Sequence, residues 1–132
     1  MKVLTIKEPF ATLIKNKVKY IETRSFKTSY RGVLYIQASA SKVEKKVKER
    51  KDLLELYKED ELKYGYIICK CNLVDCVYMT EDFINELKTN NYKEYICGHY
   101  EVGRYAWILS DIELITPIKV KGQLGIWNYN IE

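Results

Sequence analysis

The sequence contains a single histidine, His99, and this scarcity limits the catalytic sites that the chain can build. A hydrolytic triad needs an imidazole placed between a nucleophile and an orienting carboxylate. No serine can be identified as a partner for His99. We therefore expect no triad of this kind, and we interpret His99 as a hydrogen-bonding loop residue.

Long apolar runs, repeats and low-complexity linkers are also absent. No stretch approaches the roughly 20 apolar residues that cross a bilayer, and residues 1–5 lack the apolar core of a secretory signal. We therefore expect a cytoplasmic protein with no membrane partner. A chain of 132 residues, 47% of them hydrophobic, is long enough for one core. We expect one domain spanning residues 1–132.

The four cysteines do not predict disulfides, because nothing in the sequence indicates export to an oxidising compartment. Zinc is the alternative, since Cys69-x-Cys71 and Cys97-x-His99 supply suitable ligand atoms. However, residues two apart on a strand converge poorly on one tetrahedral ion, and neither pair has the usual C-x₂₋₄-C spacing. Buried free thiols are the preferred interpretation, and no metal or other cofactor is expected.

Charge is distributed unevenly along the chain. Lysine and arginine minus aspartate and glutamate give 14 − 4 = +10 for residues 1–51 and 8 − 14 = −6 for the remainder. This asymmetry is compatible with a surface that attracts polyanions. It is equally compatible with lysines that only solvate a surface.

Hydrophobic spacing predicts strands alternating with a few helices. In the first helix, Phe10, Leu13 and Ile14 face the core. The strands are predicted at residues 3–5, 20–26, 33–38, 66–78 and 104–115. Three helices are predicted. The first starts at Pro9, the second spans residues 42–63 behind an N-cap at Ser41, and the third runs from the N-cap Thr80 to about Lys88.

Two predicted elements have an apolar face that can be tested directly. In the helix at 42–63 the buried residues are predicted to be Val43, Val47, Leu54 and Tyr57. In the last strand they are predicted to be Ala106, Ile108, Ile112 and Leu114. Antiparallel strands of this length with few helices favour a curled sheet or small barrel of the α+β class, with about three flanking helices.

Several sequence blocks resemble the ASCH family of PUA-like domains. Lys19-x-x-Glu22-x-Arg24 is similar to the family motif G-x-K-x-x-E-x-R, with Lys17 in place of the leading glycine. The other blocks are Glu8-Pro9-Phe10-Ala11, Arg31-Gly32, Gly65-Tyr66-Ile67-Ile68, Gly103-Arg104-Tyr105-Ala106-Trp107 and Gly122-Gln123-Leu124-Gly125-Ile126-Trp127. The resemblance implies a PUA-like curled antiparallel or mixed β-barrel that binds RNA, another nucleic acid or a nucleotide.

A basic cleft at the motif is the expected site. Arg24 offers a planar fork to a phosphate or base edge, Lys19 supplies a point charge, and Glu22 orients both. The aromatic residues expected to stack on bases are Phe10, Tyr105 and Trp127, whereas Trp107 is assigned to the core. Further candidates for the cleft are Lys70, Arg104 and Gln123.

Two other functions remain open at this stage. Some ASCH proteins resemble small amidohydrolases or nucleases, and in that case Lys19 and Glu22 would be the catalytic residues. The amidohydrolase subgroup carries threonine at the position of Glu22. A protein-binding adaptor that uses the predicted helix at 42–63 is the third possibility.

Overall fold

Two long antiparallel strands, β4 and β5, form the centre of the fold. In the computed structural model, which describes residues 1–130, six strands combine with five short α-helices and one 3-10 helix at Glu59–Glu61. The strands are β1 Lys2–Ile6, β2 Ile21–Arg24, β3 Gly32–Ala38, β4 Tyr66–Tyr78, β5 Tyr105–Lys119 and β6 Ile126–Asn128. The helices are α1 Phe10–Lys15, α2 Lys45–Lys48, α3 Lys51–Leu54, α4 Glu81–Asn90 and α5 Tyr92–Ile96.

The strands form one mixed sheet in the order β2-β5-β4-β3-β1-β6. Only β1 and β3 pair in parallel, and the other neighbours are antiparallel. The sheet curls into a half-barrel, so the predicted α+β class with a curled sheet is confirmed. The expected number of about three helices was too low.

The largest apolar cluster fills the inner side of the curled sheet. Helix α1 contributes Ala11 and Ile14, and β5 contributes Trp107, Leu109 and Ile112. This placement confirms that Trp107 is a core residue, with 1% of its surface exposed. The curl therefore wraps the strands around α1. Residues on the inner face of the sheet are brought together at the ends of the sheet.

The residues predicted to form one apolar face of the last strand do not share a face. Asp111 has a positive φ of 52°, and at this point the one residue of β4 between Lys70 and Asn72 lies opposite two residues of β5, between Ser110 and Glu113. Such a bulge adds one residue and reverses which alternate side chains face inward. Ile112, after the bulge, therefore packs in the same cluster as Trp107 and Leu109 from before it, whereas Ala106 and Ile108 pack in another cluster. Leu114 is 70% exposed.

The predicted long helix at 42–63 is also wrong. It is broken into α2, α3 and the 3-10 turn, and Ser41 lies outside all three. Arg50 has extended backbone angles between α2 and α3 and donates from Nη2 to the carbonyl of Ile96 at 2.8 Å. Because of this break, Leu53 is buried instead of Leu54. The contact between Arg50 and Ile96 takes the place of a continuous helix.

Other boundaries differ by a few residues, and one helix was missed. Thr80 caps α4 as predicted, with its hydroxyl accepting from the amide of Phe83, whereas Pro9 is the N-cap of α1 and lies outside its first turn. Helix α5 lies in the segment predicted to be a loop. No helix in residues 1–130 has both the length and the apolar character needed to cross a membrane.

Candidate functional site

Strand β2 places Glu22 and Arg24 on the inner face of the sheet. Glu22 pairs with Trp107 of β5, and Arg24 pairs with Tyr105. Directly opposed residues in an antiparallel pair lie on the same face, with their Cβ atoms about 4.5–5.5 Å apart. The two charged side chains therefore lie above Trp107, whose ring centroid is 5.8 Å from the guanidinium carbon of Arg24.

The guanidinium of Arg24 is held by two partners. Its Nε donates to Oε2 of Glu22 at 3.0 Å, and its Nη2 lies 2.9 Å from the same oxygen and donates to the backbone carbonyl of Thr5 at 3.1 Å. Glu22 is buried and Arg24 is half-buried. This partial burial strengthens the pair relative to a surface salt bridge.

Thr5 connects Arg24 to Trp127. The Nε1 group of Trp127 donates to Oγ1 of Thr5 at 3.0 Å, and that hydroxyl donates to Oε1 of Gln37 at 2.8 Å. Trp127 is 6% exposed, so its indole is a packed hydrogen-bond donor and presents little surface for stacking. Trp127 therefore fixes Thr5, whose backbone carbonyl accepts a hydrogen bond from Arg24.

Lys19 is buried, with 1% of its surface exposed. Its Nζ donates to the carbonyl of Ile21 and, at 2.8 Å, to the carbonyl of Cys97. It also lies 5.8 Å from the ring centroid of Phe10, which packs between two apolar clusters. Lys19 therefore joins the start of β2 to the end of α5, and its ammonium group is directed at protein carbonyls.

Glu94 is a buried acidic residue beside Lys19 that the sequence reasoning missed. Its Oε1 accepts from the amide of Tyr20 at 2.7 Å, and its Oε2 accepts from the amide of Ile21 at 3.3 Å. Burial raises the pKa of Glu94, while the charge of Lys19 and the two amides lower it in part. The signal was Asn91-x-x-Glu94, since an Asn three residues before a Glu is typical of a helix start.

A second buried carboxylate, Glu8, lies directly before α1. Its two oxygens accept from the amide of Thr12 at 2.8 Å and from the Thr12 hydroxyl at 2.5 Å. Burial raises the pKa of Glu8, and the bonds from Thr12 oppose that rise. Glu8 therefore anchors the first turn of the helix that carries Phe10.

Three aromatic side chains are linked to Arg24 directly or through Tyr105 and Trp107, and we call them the aromatic rim: Phe26, Tyr78 and Tyr105. Tyr78 pairs with Tyr105 across β4 and β5, and their rings meet edge to face at 5.6 Å. Phe26 meets Trp107 in the same geometry at 5.8 Å. Phe26 and Tyr78 are each 49% exposed, so large aromatic surface remains accessible next to the arginine.

The other predicted site residues lie elsewhere. Arg104 donates from Nε to the carbonyl of His99 at 3.0 Å, which holds the loop before β5. Gln123 is exposed, next to Gly122. Lys70 is paired with Glu113 at 3.2 Å on the central strands, eight residues along β4 from Tyr78. The structure therefore groups Glu22, Arg24 and Tyr105 and separates them from Lys70.

Lys70 borders an open depression of about 760 Å³. Its walls come from the end of α1 and from the segment of β5 that follows the bulge. The lining residues are Lys15, Asn16, Lys17, Lys70, Ile112, Glu113, Leu114 and Ile115. Sequence reasoning did not single out Lys15, and it noted Lys17 only for the backbone that a glycine prefers.

Three of the four cysteines are buried thiols, and all four are free, as predicted. Burial raises the pKa of Cys69 and Cys71 to about 12 and that of Cys97 to about 11. These thiols are therefore protonated at neutral pH and pack as apolar groups. Within residues 1–130, no group of three or more His, Cys, Asp or Glu side chains is placed to hold a metal ion.

Comparison with known proteins gives similarity at the level of structure only. No family model matches the sequence, and no curated protein matches it. The ASCH protein of Zymomonas mobilis superposes with a TM-score of 0.56 at 18% identity, covering 90% of this chain and 73% of that one. A point mutant of that protein gives 0.54 at 18% identity, with 90% and 75% coverage. The chain therefore has the fold of this ASCH protein, which is the fold that the sequence resemblance predicted.

Proposed function

We propose that this chain binds single-stranded nucleic acid, with RNA as the preferred ligand, at Arg24 and the aromatic rim. The observation that carries the proposal is the cross-strand row of Arg24, Tyr105 and Tyr78 on three neighbouring strands. In proteins that bind single strands, bases stack on exposed aromatic rings while arginine binds phosphates or base edges. The row provides both groups side by side.

Arg24 is fixed in a geometry that suits this role. Its hydrogen bonds to residues 1–130 use Nε and Nη2. The remaining terminal nitrogen, Nη1, is available to a ligand on a side chain that Glu22 and Thr5 already immobilise. Because the arginine is ordered before binding, less side-chain entropy is lost when a phosphate or base edge is bound.

Phe26 and Tyr78 extend the site beyond the motif. Both are half exposed, and each has one edge packed against a ring beneath it. A rigid, exposed ring is the surface on which a splayed base of single-stranded RNA stacks. Together the rim provides stacking for one or two bases beside the arginine.

Binding of a short single-stranded RNA, followed by fluorescence anisotropy at several salt concentrations, tests this proposal. We expect affinity to fall as salt rises, because phosphate contacts release counterions. Phe26→Ala and Tyr78→Ala should each weaken binding by about 1–3 kcal/mol, which is roughly 5- to 150-fold. Single-stranded DNA of the same sequence measures the contribution of the 2′-hydroxyl.

Tyr92→Ala is the matched control, because Tyr92 is 59% exposed on α5 and lies outside the rim. This variant should bind RNA like the parent protein. The proposal is wrong if the parent does not bind RNA, if its binding is indifferent to salt, or if Tyr92→Ala weakens binding as much as Tyr78→Ala.

The amidohydrolase hypothesis has less support from the geometry. Lys19 would have to act as a base or nucleophile, yet its Nζ is buried and already donates to two carbonyls. Glu22 is likewise bound to Arg24. Incubation with N4-acetylcytidine, with Lys19→Ala as control, tests this activity, and we expect the substrate to remain unchanged.

A further inference from the structure

We infer that the depression at the end of α1 is a second contact site for the phosphate backbone of the same single-stranded RNA. We call it the lysine depression, defined by Lys15, Lys17 and Lys70. The inference rests on the proposed function, because it takes the RNA bound at the aromatic rim as its ligand. The lysine depression is a contact site that the motif residues do not reach.

The charge of the lysine depression favours an anion. Three lysines and one carboxylate line a volume of about 760 Å³. That carboxylate, on Glu113, is paired with Lys70 at 3.2 Å, so the lining keeps a net charge of 3 − 1 = +2, with the charge of Lys15 also acting on the buried carboxylate of Glu8. Ile112, Leu114 and Ile115 add apolar side chains to the lining. Low-dielectric walls with charge of one sign strengthen the field that acts on an incoming phosphate.

Lys17 gives the second line of support. Its φ is 61°, in the left-handed region where a residue with a Cβ atom is strained and glycine is favoured. The turn around it is fixed by hydrogen bonds from the amide of Lys17 to Ile14 and from the amide of Val18 to Leu13. These two bonds form the Schellman cap that ends α1, and the cap requires a left-handed residue at this position. Lysine is more strained there than glycine, and it places a basic side chain on the wall of the depression.

Ordinary structural causes explain only part of this cluster. Lys15 lies in the last turn of α1, where a cation is favoured by the helix dipole. Neither Lys17, which lies beyond the helix, nor Lys70, which comes from β4, has that explanation. Tertiary structure brings Lys70 to the depression that Lys15 and Lys17 border.

The distance to the aromatic rim suits a short oligonucleotide. Tyr105 and Ile112 are seven residues apart on β5, which is at most about 23 Å along a strand. Small barrels that bind single strands cover about 4–16 nucleotides. One RNA chain can therefore contact both places, whereas a mononucleotide cannot.

The test measures the slope of log affinity against log salt for RNAs of about 12 and about 4 nucleotides, a range that brackets one binding site. Each phosphate contact contributes about −0.7 to that slope for a single strand. For the longer RNA, Lys17→Gly should make the slope shallower by about 0.7, and combining it with Lys15→Gln and Lys70→Gln should make it shallower by about 2. The shorter RNA should show little change.

Two controls keep this test independent of folding and of general charge. Lys17→Gly removes a charge while relieving backbone strain, so loss of binding cannot be attributed to unfolding. Lys46→Gln removes an exposed charge from α2, with 84% of the lysine side chain exposed, and should leave the slope unchanged.

The outcomes separate this inference from the proposed function. RNA binding that needs Tyr78 but gives the same salt slope for Lys17→Gly, the triple variant and Lys46→Gln overturns the lysine depression alone. Inorganic tripolyphosphate or a mononucleotide binding as tightly as the longer RNA overturns the assignment to polynucleotide backbone. Absence of all RNA binding by the parent overturns both proposals.

Discussion

Arg24 donates a hydrogen bond from Nη2 to the backbone carbonyl of Thr5 at 3.1 Å, and this bond joins strands that are not neighbours in the sheet. Arg24 lies on β2 at one edge, while Thr5 lies on β1, with β5, β4 and β3 between them. The bond therefore spans the open side of the half-barrel. It links the curl of the sheet to the position of the arginine proposed to contact RNA.

Removing the arginine should destabilise the fold as well as the site. In Arg24→Ala, Glu22, which is 8% exposed in the parent, loses its charged partner, and the Thr5 carbonyl loses a donor. We expect the free energy of unfolding to fall by about 2–4 kcal/mol, slightly less than for a fully buried pair. Urea denaturation measures it. Adding Glu22→Gln should restore part of the loss, and equal losses in the single and double variants would contradict this account.

Lys19→Met should cost stability and also change the acidity of Glu94. The substitution leaves the carbonyls of Ile21 and Cys97 without this donor, at about 1–3 kcal/mol for each unsatisfied group. Because the charge of Lys19 lowers the pKa of Glu94, that pKa should rise further in the variant. Carboxyl carbon shifts followed by NMR against pH measure it. An unchanged Glu94 titration would show that the two groups are not coupled.

Glu94 should make the protein less stable as pH rises above about 4.5. Its folded pKa is raised above the unfolded value of 4.5, mainly by burial, so between the two values the folded state binds more protons than the unfolded state. The stabilisation is complete below 4.5 and is lost as pH rises through the folded pKa. The unfolding free energy of the parent minus that of Glu94→Gln should therefore fall as pH rises.

Glu44→Gln serves as a control with the opposite sign. The hydrogen bond from Lys7 lowers the pKa of Glu44, so its contribution is lost as pH falls. The parent should gain relative to this variant as pH rises. The same trend for both variants would contradict the assignment for Glu94.

Lys17→Gly should stabilise the protein. A left-handed conformation costs roughly 1–2 kcal/mol for a residue with a Cβ atom, and glycine returns about 0.5–1 kcal/mol of that through its greater freedom in the unfolded chain. We expect a net gain of up to about 1 kcal/mol, visible as a higher melting temperature. Lys17→Val should lower it, because a β-branched residue tolerates φ of 61° poorly.

Gly122→Ala should disturb the hydrogen bonds that hold Thr5. A Cβ atom at Gly122 would lie 2.5 Å from Oε1 of Gln37 and 3.1 Å from Oγ1 of Thr5. Gln37 cannot easily move, because its Nε2 donates to the carbonyls of Gly65 and Val120. We expect a loss of about 1–3 kcal/mol in thermal or urea unfolding, whereas Gly65→Ala meets no neighbouring atom and is strained only by its backbone.

Local sequence patterns predicted most of the strands because alternation is a property of a few adjacent residues. Strand β4 was predicted with its observed bounds, and Glu22 and Arg24 were correctly placed on one face of β2. The bulge at Asp111 and the break at Arg50 were missed. Both depend on contacts with residues distant in the sequence. The hydrophobic periodicity of a few adjacent residues carries no information about such contacts.

The sequence by itself determined the α+β class, the strand faces over short stretches and the identity of the charged motif, since these follow from periodicity and residue type. Only the tertiary structure decided what the charges contact. Lys19 is enclosed by the carbonyls of Ile21 and Cys97, and Arg24 is held by Thr5. The physical reason is that the curl of the sheet joins segments far apart in the chain, and a charge binds whichever polar groups that curvature places beside it.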